Sequence, residues 1–151
     1  MKITVIGTGY VGLIQAACLA ELGNTVIGLD VDEAKITLLK QGKSPIYEPG
    51  IDELLRRNLK EGRLTFTTSY AEAIPGADVV FIAVGTPSQA DGSADLQYVQ
   101  AAARSIGEQL TSYTVVVNKS TVPVGTGDLV GQIIREEYTG EFDVASNPEF
   151  L

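Results

Sequence analysis

The amino-acid sequence predicts a doubly wound α/β fold: a mostly parallel, six-stranded sheet in a single domain. Three observations predict it. Six β-type runs, near 2–6, 25–29, 64–67, 78–84, 114–118 and 142–146, alternate with helical stretches, a pattern that places helices on both faces of a parallel sheet. The runs ADVVFIAV (77–84) and YTVVVN (113–118) are nearly continuous in apolar residues, as strands buried on both faces are. The chain also opens on a strand, a glycine-rich turn and a helix, with an acid at the tip of the next β-type run.

The opening unit spans the first 35 residues. An apolar run at 2–6 leads into Gly7-Thr8-Gly9-Tyr10-Val11-Gly12. An apolar helix follows over roughly 10–22, and the run at 25–29 ends on Asp30. This is G-x-G-x-x-G between strand and helix, the context in which the motif binds dinucleotides. Gly7 permits the tight turn. Gly9 lacks a Cβ, so a pyrophosphate can approach the backbone. Gly12 lets the helix pack closely. The N–H groups of the first helical turn, at the positive end of the dipole, then face the phosphates. Asp30 can accept hydrogen bonds from both ribose hydroxyls and would repel a 2′-phosphate, which predicts NAD rather than NADP. The unit is therefore expected to be a Rossmann-type cofactor site.

Composition sets the outer bounds. The chain has 151 residues, enough for one domain with a sizeable core, and is 44% hydrophobic and 20% charged. Its net charge of −8 argues against a nucleic-acid surface, which depends on Lys and Arg. There is no histidine and one cysteine. That excludes histidine-ligated metal sites, a Ser-His-Asp triad and a disulfide within the chain, and fits a reducing, cytoplasmic setting. The N-terminus reads as a strand rather than a signal peptide, and no apolar run approaches the length of a membrane span.

Beyond Asp30, Asp32 is expected to cap a helix through about Gln41, with Ile36 and Leu39 inward. Lys35 falls in its first turn. Either it is a solvated helix charge or it contacts the adenosine ribose or phosphate. GKSPIYEPG (42–50) is a loop punctuated by two prolines, and a helix resumes over 51–60. The apolar run at 77–84 ends in Gly85-Thr86-Pro87-Ser88, at the carboxyl end of a strand, where ligands bind in open α/β sheets. Thr86 either donates to a cofactor phosphate or caps a turn. Asp95 is expected to cap a helix to about Leu110, and a further helix is expected over 127–138. Cys18, in AACLAEL, is expected to be a buried, inert thiol. Thr121 alone reads as an N-cap or turn residue before Pro123, and Glu149 alone as an exposed loop acid.

Several segments taken together resemble one family. They are IGTGYVGL (6–13), PIYEPG (45–50), VGTPS (84–88), GSADLQYV (92–99), KSTVPVGT (119–126) and SNPEFL (146–151). They resemble the N-terminal NAD-binding domain of the UDP-glucose 6-dehydrogenase and GDP-mannose dehydrogenase family across essentially the whole chain. IYEPG, STVPVGT and NPEFL carry more weight than the glycine turn, because nothing in general Rossmann physics asks for them. The resemblance implies oxidation of a nucleotide-sugar C6 alcohol to a carboxylate with two NAD per turnover, through a cysteine thiohemiacetal and thioester. It implies that Gly7, Gly9, Tyr10, Val11, Gly12, Asp30, Lys35, Val84, Thr86 and Thr121 bind the cofactor. It implies that Thr121 and Glu149 share the catalytic water, and that Glu149, Phe150 and Leu151 adjoin the substrate. UDP-glucose is the default substrate, and a homodimer is the implied assembly.

The same resemblance marks what this sequence lacks. The family's catalytic cysteine, lysine, asparagine and second acid belong to positions after Leu151. Residues 1–151 are therefore expected to be the cofactor domain of a longer enzyme, competent for NAD and inactive by itself. The competing expectation is a free-standing NAD or nucleotide-binding module without catalysis. A 2-hydroxy-acid or 6-phosphogluconate type of dehydrogenase is disfavoured by STVPVGT and NPEFL.

Overall fold

The computed structural model describes residues 1–149. Phe150 and Leu151, expected near the substrate, lie outside the described residues. Six strands form one sheet: β1 (Lys2–Ile6), β2 (Thr25–Leu29), β3 (Leu64–Thr67), β4 (Val79–Ile82), β5 (Thr114–Asn118) and β6 (Phe142–Ser146). Their order is β3-β2-β1-β4-β5-β6, and every pairing is parallel. Parallel neighbours need crossovers, and the helices supply them: α1 (Tyr10–Glu21), α2 (Glu33–Lys40), α3 (Ile51–Lys60), α4 (Tyr70–Ala73), α5 (Gln97–Gln109) and α6 (Thr126–Glu137).

Both sheet faces are covered, as the apolar strands require. Val5, Val26 and Leu64 pack with Leu13, Ala16, Leu39 and Leu55 on one face. Ile6, Val80, Ile82 and Val116 pack with Val99, Ile106 and Ile134 on the other. Each large aliphatic side chain so buried contributes about 1.5–3 kcal/mol. Two buried threonines would be costly unpaired. Thr4 donates its hydroxyl to Ala73 O at 2.6 Å, and Thr114 to Ala77 O at 2.8 Å.

Several expectations need adjusting. The fourth strand ends at Ile82 rather than at Val84. Lys119 N and Ser120 N both converge on Ile82 O, so the β5 chain turns away and the ladder stops. Ala83 and Val84 pass instead beneath the glycine turn. Asp95 lies one residue before the cap position: α5 begins at Gln97, and Asp95 Oδ1 accepts from Gln97 N at 3.0 Å. Asp32 does cap α2, accepting from Lys35 N at 3.0 Å.

Cys18 is a correction: it is exposed, not buried. Leu13, Ala16, Ala17 and Ala20 form the inward i, i+3, i+4, i+7 stripe of α1, and position 18 falls off that stripe. No helix among the described residues is long and apolar enough to cross a membrane.

Candidate cofactor groove

The strand order reverses between β1 and β4, so the loops after these two strands diverge and leave a crevice at their carboxyl ends. The glycine turn forms its floor. Gly7 has φ +94°, and a Cβ there would lie 2.4 Å from Ala83 O, so both backbone conformation and space demand glycine. A Cβ on Gly12 would lie 1.9 Å from Gly7 O. Gly12 thus lets α1 close onto the turn itself, a tighter contact than helix-on-sheet packing. A Cβ on Gly9 would meet nothing within 4 Å. Glycine is not needed there for packing, and the open space lies where a bound pyrophosphate would run. Gly9 is also the N-cap of α1, with no side-chain cap and no acid in the first turn. The first-turn N–H groups are left for an external anion.

At one end of the crevice stands Asp30, 8% exposed. Its Oδ2 accepts from Thr8 N, Thr8 Oγ1 and Lys35 Nζ, each at 2.8 Å, and its Oδ1 accepts from Asp32 N at 3.1 Å. Burial pushes the carboxyl up, but the Lys35, Thr8 and Asp32 donors outweigh it and hold Asp30 below the ordinary carboxylate range. Oδ2 takes three protein donors and Oδ1 takes one, which leaves Oδ1 the less occupied acceptor. Lys35 is thereby an Asp30 partner rather than a free helix charge. Tyr70 closes the same end: burial, then the Asp30 charge, push its phenol up to about 12. With Leu29, Val31, Tyr98, Ala102 and Val84 it surrounds a cleft of about 380 Å³.

At the other end lies a cleft of about 450 Å³, lined by Gly9, Tyr10, Val11, Val84, Thr86, Lys119, Thr121 and Glu149. Gly9, Ala83, Val84 and Gly85 line both clefts, so the two run together across the glycine turn. A chain of side-chain bonds builds this end. Thr86 Oγ1 donates to Thr121 O at 2.8 Å, and Thr121 Oγ1 donates to Glu149 O at 2.8 Å. Lys119 Nζ stands 2.5 Å from Glu149 Oε2. Ser120 Oγ donates to Val84 O at 2.7 Å, tying the β4 and β5 loops. Tyr10 Oη donates to Glu48 Oε2 at 2.8 Å, which brings the PIYEPG loop to the rim. That bond and the Glu48 charge raise the Tyr10 pKa.

Every site residue expected from the sequence and described in the structure therefore lies in or under one groove. Gly12 is beneath it, Asp30 and Lys35 at one end, Thr86, Thr121 and Glu149 at the other. Sequence reasoning missed Thr8, Tyr70 and Lys119. Thr8 was legible only as the polar residue between two turn glycines, and Lys119 only as the basic residue opening KSTVPVGT. Nothing local marks Tyr70, which the chain brings to Asp30 from 40 residues away. The donor set fits a dinucleotide: a hydroxyl acceptor at one end, bare helix N–H groups in the middle and space at both ends.

Known proteins give the comparison for this geometry. The chain is 57% identical over 152 residues to UDP-glucose 6-dehydrogenase TuaD of Bacillus subtilis (strain 168), covering 99% of the chain and 33% of TuaD. It is 57% identical over 153 residues to UDP-glucose 6-dehydrogenase of Rhizobium meliloti (strain 1021), covering 100% of the chain and 35% of that protein. The structure of a UDP-glucose dehydrogenase from Pyrobaculum islandicum superposes with a TM-score of 0.95 at 48% identity, over 99% of this chain and 36% of that one. GDP-mannose dehydrogenase from Pseudomonas aeruginosa, solved as a ternary complex, gives 0.94 at 43% identity, over 100% of this chain and 36% of that one. The chain thus spans about a third of the length of the relatives it matches. Residues 1–151 match the NAD binding domain of the UDP-glucose/GDP-mannose dehydrogenase family, and the chain belongs to that family.

Proposed function

We propose that the groove holds NAD with its adenosine ribose at Asp30, its pyrophosphate over Gly9 and its nicotinamide half toward Thr121 and Glu149. We further propose that the chain serves as the cofactor half of a nucleotide-sugar 6-dehydrogenase acting on UDP-glucose. The observation that carries this reading is the continuity of the two clefts across the bare N-terminus of α1.

The residues have separable tasks. Asp30 Oδ1 accepts from a ribose hydroxyl, while Thr8 and Lys35 keep the carboxylate ionised and aimed. A second negative group at the 2′ position would meet that carboxylate, which favours NAD over NADP. When bound, NAD supplies the hydride acceptor. Thr121 spends its hydroxyl hydrogen on Glu149 O, so its oxygen remains to accept from a water. Glu149 Oε1 and that oxygen together hold such a water at the nicotinamide end, and the Glu149 carboxylate receives a proton from it. The nucleophilic thiol of the two-step oxidation is not Cys18, which lies on α1 away from the groove lining. That task, with substrate selection, a homodimeric assembly and a cytoplasmic location, belongs to the whole enzyme in this reading.

The test is a hybrid in which this chain replaces the matching third of TuaD. Formation of two NADH per UDP-glucose supports the reading. A folded hybrid that binds UDP-glucose and forms no NADH counts against it.

A further inference from the structure

The two ends of the groove are each built on one cation and one anion in contact. Lys35 meets Asp30 at one end, and Lys119 meets Glu149 at the other. The second pair is firmly held. Lys119 N donates to Ile82 O at 2.8 Å, and its side chain is only 14% exposed. Glu149 is anchored through its carbonyl by Thr121, and Asn147 N donates to Asn118 O at 2.9 Å just before it. Both partners are therefore placed by bonds to main-chain atoms at or beside them before they meet.

The position of this pair gives it a consequence. If adenosine lies at Asp30 and the pyrophosphate over Gly9, the other half of the dinucleotide lies in the cleft lined by Lys119 and Glu149. The nicotinamide ring carries a positive charge when oxidised and none when reduced. A lone carboxylate there would favour the oxidised form, a lone ammonium the reduced form, and a contact pair neither.

We propose that the Lys119–Glu149 pair sets the ratio of affinities for NAD and NADH. In it, Lys119 is a specificity-determining residue that cancels the Glu149 charge at the nicotinamide end. The proposal rests on the reading of the groove given above. It gives Lys119 a task distinct from the water-holding task of Glu149.

Calorimetry on the 151-residue chain with NAD and with NADH tests it, at low and at high salt. Lys119→Met raises affinity for NAD relative to NADH by about threefold to tenfold at low salt, and Glu149→Gln shifts the ratio the opposite way by a similar factor. The double variant restores the wild-type ratio, Lys119→Arg keeps it, and high salt compresses every shift. A structural role alone would weaken both forms together. Single variants that leave the ratio unmoved, or move it in the same direction, overturn the proposal while the groove stands. A folded wild-type chain that binds neither form overturns the groove reading and this proposal with it.

Discussion

Thr8 donates twice to one oxygen of Asp30, through its backbone N–H and through its hydroxyl, each at 2.8 Å. Thr8 is fully buried, so no water replaces the hydroxyl if it is removed. The glycine turn and the tip of β2 are thereby locked to each other, and the ribose acceptor is oriented by the same turn that receives the pyrophosphate. Thr8→Val keeps the shape and removes one hydrogen bond to a charged group. The expected cost is about 1–2 kcal/mol of stability, read by chemical denaturation, with Thr8→Ser close to wild type.

The pH dependence follows from the same cluster. The folded-state pKa of Asp30 is depressed, so its contribution to stability is present above the unfolded value and lost as pH falls through the folded one. Stability and NAD affinity are expected to be level with respect to this group above about pH 5 and to decline below about pH 4. Asp30→Asn removes that component of the acid limb. At the alkaline end the raised pKa of Tyr70 works the other way. Its neutral form is favoured in the fold, so stability is lost between the ordinary value of 10.0 and about 12. Tyr70→Phe removes that alkaline component, as pH-dependent melting shows.

Two glycines three positions apart should respond differently to the same change. Gly9→Ala adds a Cβ into open space at φ −70°, a conformation alanine adopts freely. Stability is expected to change by less than about 1 kcal/mol, while NAD affinity falls by at least about tenfold because the methyl fills the pyrophosphate path. Gly12→Ala drives its Cβ into Gly7 O, and is expected to lower stability by about 3 kcal/mol or more. Paired melting curves and NAD titrations separate the two effects.

Cys18 is exposed and lies beside Ile14, Glu48, Pro49 and Leu54, outside the groove. It is expected to react fully with a thiol reagent in the folded chain, without denaturant. Cys18→Ser should leave NAD affinity within about twofold, since Cys18 is not part of the groove lining.

The fold was legible because its signals are periodic and local. The apolar runs of β4 and β5, the 13-16-17-20 stripe of α1 and the Asp32 cap each follow from short-range rules. What escaped depends on residues distant in sequence. The early end of β4 comes from Lys119 and Ser120 competing for Ile82 O, and Tyr70 reaches Asp30 only through the sheet order. Cys18 was misread because its apolar neighbours in sequence are not its neighbours around the helix. Half of the groove, from Gly7 to Asp30, follows from one motif and its context. The other half needed the family resemblance, because a threonine before a proline and an acid after another are common loop residues without it.

The central claim is that the groove running from Asp30 across Gly9 to Thr121 and Glu149 is a site for NAD. Calorimetric titration of the chain with NAD and NADP, beside Asp30→Ala, tests it most directly. We expect saturable one-to-one binding of NAD, at least about tenfold weaker binding of NADP, and loss of NAD binding on Asp30→Ala. A folded chain that binds NADP as tightly as NAD, or an Asp30→Ala variant that binds NAD undiminished, would contradict it.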